Sequence, residues 1–224
     1  MRTLLISVLA VLQGAMSIAE GNESSERPAT AQAERITVYS VPLRCPLVDG
    51  LGCGSAAKPV LSELEQKPSV AEAWLDHSGT KLALIWKENI GALKRAKVIA
   101  AVSETTKLNE LSSSARETAL KEIQSGPRWY RARDVDELSR EEAENVTRRL
   151  LDSINAAEPL PKEKRDLLWT SFTDTLKRRF IYGGMSNKEV SKELFEAARQ
   201  HVGPKGIEAL EKTIREACCA APSK

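Results

Sequence analysis

Four cysteines carry most of the reactive chemistry in this chain, and Cys53 is the best placed of them. It lies in Leu51-Gly52-Cys53-Gly54-Ser55-Ala56, between a strand-like run and a helix-like run that opens on small residues. A thiol at a helix start meets unpaired amides and the positive end of the helix dipole, which lower its pKa and favour thiolate. A thiolate ligates soft metals or attacks disulfides, so the position predicts metal or redox chemistry. Cys45 lies earlier in the same loop, which can fold back to bring two sulfurs together. Two thiolates suit copper(I) or mercury(II), because soft ions prefer sulfur to oxygen donors. The same pair, Cys45 and Cys53, can instead close a structural disulfide worth about 2–3 kcal/mol in the chain-entropy model.

The remaining reactive residues say less. Adjacent Cys218 and Cys219 bond each other only through a strained ring. Ile207, Leu210, Ile214 and Cys218 share a helical stripe, which reads as a buried core thiol, with bridging or metal binding as the alternatives. His77 lies in the turn His77-Ser78-Gly79-Thr80, at the end of the fold where the cysteine loop emerges, and reads as an exposed turn residue. His201, before Gly203, suits a helix C-terminus. Glu141, Glu142 and Glu144 read as a solvated helix face, and Lys177-Arg178-Arg179 as an exposed rim. With two histidines and no Gly-rich phosphate loop, nucleophile elbow or Cys-x-x-Cys, no catalytic set is assembled, and the chain reads as a non-enzyme.

The elements that must hold these residues begin after a leader. Arg2 precedes an apolar run from Leu4 to Leu12, and Ser17-Ile18-Ala19 offers small cleavage residues, so 1–19 reads as a secretory signal peptide. The expected location is exported, periplasmic or extracellular, where disulfides are permitted. No later stretch approaches the roughly 20 apolar residues of a membrane helix, so no span is expected in the mature chain. Residues 20–34 are polar, with no apolar period, and read as a disordered leader. A formal net charge of +2 on 224 residues leaves no electrostatic footprint for nucleic acid.

From Ile36 the pattern predicts β-α-β-β-α-β. Strand Ile36 to Leu43 precedes the loop Arg44 to Gly54. A helix through Ala57, Val60, Leu61 and Leu64 follows, with Pro59 in its first turn. Val70 to Asp76 and Lys81 to Trp86 form a hairpin, Ala92 to Ser103 a helix, and Thr105 to Leu111 a weak strand. Leu82-Ala83-Leu84-Ile85-Trp86 is apolar at every position, which predicts a strand covered on both faces, the second by something from the later half of the chain. Trp129 and Tyr130 mark a junction. The later half reads as helical, with capping boxes at Ser114/Glu117, Ser139/Glu142 and Ser186/Glu189, a helix from about Pro161 carrying Leu168, Phe172, Leu176 and Phe180, and a last helix from Gly206 to Ala220. The fold class is therefore α+β: a ferredoxin-like sandwich over 35–111, then a helical region over 112–224.

Over Ile36 to Leu111 the chain resembles the heavy-metal-associated domain family, which includes copper chaperones and mercury-binding periplasmic proteins. The resemblance rests on the first strand, the Gly-Cys-Gly-Ser-Ala-Ala turn, the helix through Leu64, Pro68-Ser69-Val70-Ala71-Glu72-Ala73-Trp74, and Gly79-Thr80-Lys81-Leu82-Ala83-Leu84. Members usually carry Met-x-Cys-x-x-Cys; here Leu51 stands at the Met position, Cys53 at the first Cys and Ala56 at the second. The resemblance implies an exported soft-metal-binding protein with Cys53 as primary ligand, Cys45 as second, and copper(I) or another soft ion bound. In that reading the helical half covers the sheet or docks a protein partner. The other reading is a non-catalytic structural or interaction module, stapled by Cys45 and Cys53, whose helical half binds the partner.

Overall fold

The computed structural model describes residues 33–125 and 128–220, with side chains to 216. The expected signal peptide and almost all of the expected leader lie outside the described residues. The protein is α+β, with a five-stranded antiparallel sheet and seven α-helices among the described residues. No helix among them is long and apolar enough to cross a membrane.

The strands are β1 (Ile36–Ser40), β2 (Val70–Asp76), β3 (Lys81–Trp86), β4 (Asn109–Glu110) and β5 (Trp129–Tyr130), in the spatial order β4-β1-β3-β2-β5. Helix α1 (Gly54–Gln66) joins β1 to β2, and α2 (Ala92–Ser103) joins β3 to β4. β3 is the central strand, pairing Thr37 with Leu84 on one side and Trp74 with Ala83 on the other. The expected fourth strand shrinks to two residues, because the amides of Thr105 and Thr106 fold back on the Val102 carbonyl and close the end of α2. Trp129 and Tyr130 are not a junction: they pair with Asp76 and Leu75 and extend the sheet by one strand.

Both faces of β3 are covered, as its unbroken apolar run requires. Ala83 and Ile85 join Ile36, Val38 and Trp74 under Ala119 and Ile123 of α3 (Ser113–Ser125). Leu82, Leu84 and Trp86 face the larger core, which runs without a break from Tyr39 through α1 and into α4 (Val135–Ala157), α5 (Lys162–Lys177), α6 (Asn187–Arg199) and α7 (Pro204–Ala220). Helix α2 is a poor partner: Val102 is its buried residue, and Leu93 is exposed.

Helix α4 starts five residues before its expected first residue, at Val135 instead of Arg140. Its N-cap is Asp134, so Ser139 and Glu142, expected as a capping box, sit inside the helix and are buried. The box at Ser186 and Glu189 does form, with reciprocal bonds of 3.2 and 2.7 Å. Helix α1 also starts early, at Gly54, which moves Pro59 from the first turn into the second.

Candidate functional site

The cysteine loop is built from backbone pairing. Leu43–Cys45 and Leu51–Cys53 run antiparallel through a bridge between Arg44 and Gly52, with the Cys45 amide donating to the Leu51 carbonyl at 2.8 Å and the Cys53 amide to the Leu43 carbonyl at 2.7 Å. Side chains alternate along such a ladder, so Leu43, Cys45, Leu51 and Cys53 share its inner face. Leu43, Cys45 and Leu51 are buried and Cys53 is half-buried. Cys45 and Cys53 are therefore diagonal neighbours across the ladder.

The β2–β3 hairpin holds this loop from one side. The Gly52 amide donates to the His77 carbonyl at 2.8 Å, and the Leu43 amide to the Gly79 carbonyl at 3.0 Å. Gly79 has φ +68°, and a Cβ there would lie 2.7 Å from the Gly52 Cα, so the turn requires glycine. Helix α4 presses from the other side: a Cβ on Gly54 would overlap the Ser139 hydroxyl and stand 2.7 Å from the Ser139 amide.

That close approach delivers Glu142. Cys53 is the N-cap of α1 but makes no side-chain cap bond; the Glu142 carboxylate caps the helix instead, accepting the Gly54 amide at 3.0 Å. The same carboxylate is close enough to both thiols for its charge to act on them, and the Cys53 sulfur itself meets the Ser55 hydroxyl at 3.4 Å. Glu142 is 1% exposed, which corrects its reading as part of a solvated face. Its two companions do behave as surface groups, Glu141 bonding His77 Nε2 at 2.9 Å and Glu144 pairing with Lys177 at 2.9 Å.

Burial dominates the electrostatics. The Cys53 thiol is pushed up to about 11, first by loss of water and then by the Glu142 charge, with the Ser55 hydroxyl and Ala56 amide opposing. Cys45 is pushed up to about 12 by the same two causes in the same order. This overturns the expectation of a thiol activated by a helix start: burial and then the Glu142 charge outweigh the Ser55 hydroxyl and the Ala56 amide. Glu142 itself is raised to about 6 by burial, held from rising further by the two thiols and the Gly54 amide.

Both cysteines are free thiols, and both line a cavity of about 270 Å³ walled by Leu47, Val146, Leu150 and Phe180. His77, whose backbone braces the loop, points its ring at Glu141 and Tyr130, not at the sulfurs. His201 contributes a carbonyl to Lys164. The side chains of Cys218 and Cys219 lie outside the described residues. The residue that sequence reasoning missed is Glu142, and its signal is spacing: Leu138, Glu142, Val146 and Leu150 follow at four-residue steps on the stripe that α4 buries. Compared with known protein families, curated proteins and solved structures, the chain has no match.

Proposed function

We propose that this is an exported soft-metal-ion-binding protein whose ligands are the sulfurs of Cys53 and Cys45, taking copper(I) or mercury(II). The observation that carries the reading is the diagonal placement of two free thiols on one face of the Arg44–Gly52 bridge. Diagonal neighbours stand with Cβ atoms about 7–8 Å apart or somewhat less, whereas a disulfide needs about 3.5–4.5 Å. Such a separation fits an ion held between two sulfurs better than a direct bond. No group of three or more His, Cys, Asp or Glu among the described residues is placed to hold a metal, so the proposed site is a two-sulfur one, suited to soft ions. Glu142 and the Gly54 amide hold the loop in place, and the thiols release their protons as the ion enters.

The resemblance to the heavy-metal-associated family supports the same reading, with Cys45 supplying the sulfur that Ala56 lacks. In this account the sheet is a ferredoxin-like β-α-β-β-α-β unit extended by β5, and the helical half is its cover and the surface for a protein partner. Replacing Cys45 by Ser tests the proposal. Copper(I) affinity, measured by competition with a chromogenic chelator, is expected to fall at least tenfold while the urea midpoint moves little. A large loss of stability with copper uptake unchanged would show a structural staple and contradict the metal reading.

A further inference from the structure

The cavity beside the sulfurs has a second chemical end. Past Phe180, on the π-helical turn Arg178–Tyr182 that follows α5, Arg179 lines the same space. Its two neighbours are paired, Lys177 with Glu144 at 2.9 Å and Arg178 with Glu193. Arg179 is half-buried and makes no ion pair or side-chain hydrogen bond among the described residues. Its guanidinium stays charged at any ordinary pH. The acid on the cavity wall, Glu142, accepts the Gly54 amide and forms no ion pair with Arg179 among the described residues.

The rest of the wall is mainly apolar, with Asn187 and Ser191 of α6 adding neutral polar groups. An apolar chamber with one unpaired fork of donors matches the usual construction of a small-ligand site: apolar walls for area and a few polar groups for orientation. A volume of about 270 Å³ sits at the small end of such sites, which limits the ligand to a compact one.

We infer that this cavity binds a small carboxylic acid with an apolar body, its carboxylate on Arg179 and its body against Leu150, Phe180 and Leu194. The ligand class follows from charge sign and wall chemistry together. A cation would face Arg179, and a strongly polar anion would leave the apolar wall uncovered.

Octanoate and octylamine, titrated calorimetrically into the full metal-free chain, test the inference. Octanoate is expected to bind one per chain and octylamine at least tenfold more weakly. Arg179→Gln, checked for folding by circular dichroism, is expected to weaken octanoate about tenfold or more, the effect of losing a hydrogen bond to a charged group. Leu194→Trp, which fills the chamber, should abolish binding, and Arg178→Gln, a neighbouring cation paired with Glu193 and not on the chamber wall, should leave it unchanged. Equal binding of octylamine, no binding of octanoate, or octanoate binding indifferent to Arg179→Gln or Leu194→Trp would overturn it. The comparison of the two ligands on the parent protein stands even if a variant fails to fold.

Discussion

Glu142 accepts the Gly54 amide at 3.0 Å, so the first helix of the sheet region begins on a carboxylate supplied by α4. The bond spans the two halves of the chain and fixes the distance between α4 and the cysteine loop. Burial, and after it the charge of that same carboxylate, keeps both thiols in their protonated state.

Thiol reactivity follows from that arrangement. With Cys53 pushed up to about 11 and Cys45 to about 12, the metal-free protein is expected to react slowly with iodoacetamide at pH 8. Glu142→Gln removes the nearby negative charge and supplies an amide donor, so alkylation should accelerate several-fold. The Gln oxygen can still accept from Gly54, which keeps the helix start. A rate unchanged from the parent would show that Glu142 does not control the thiols.

Stability should carry the signature of Glu142 against pH. Its folded pKa of about 6 lies above the ordinary 4.5, so between those values the native state binds more protons than the unfolded chain. Stability from this group is therefore fully present below pH 4.5 and is lost as pH rises through 6, a change of about 2 kcal/mol. Urea midpoints of the parent and Glu142→Gln, compared from pH 4 to 7, isolate it from other carboxylates, and the variant is expected to lack this fall. Parallel profiles would rule the assignment out.

Packing between α1 and α4 predicts an unusual pair of variants. Gly54→Ala places a methyl against the Ser139 hydroxyl and 2.7 Å from its amide, which should cost about 1–3 kcal/mol. Ser139→Ala removes a buried hydroxyl with no hydrogen-bond partner among the described residues and should be neutral or stabilising. The double variant should recover part of the Gly54→Ala loss, since one of the two overlaps is gone. Strictly additive urea midpoints would contradict the geometry.

How much of this was legible in the sequence depends on which force decided each element. Val70–Asp76 and Lys81–Trp86 can be read to the residue, because a continuous apolar run and a hairpin glycine mark both ends. The covering of both faces of β3 follows from that same run, although nothing local says that α3 supplies the second cover. Glu142 is hidden by a local signal that tertiary packing overrides: Ser139 and Glu142 satisfy a capping box on paper, but Asp134 begins the helix and turns both inward. The raised thiols are hidden for a related reason, since desolvation comes from helices far along the chain. Trp129 and Tyr130, too short to register as a strand, are placed by the open edge of β2.

Native mass spectrometry of the full chain, offered copper(I) under reducing, oxygen-free conditions, tests the central claim most directly. The account predicts one copper per chain, lost in Cys53→Ser and weakened in Cys45→Ser. No adduct on the reduced parent, or an adduct that survives the loss of both sulfurs, would contradict it.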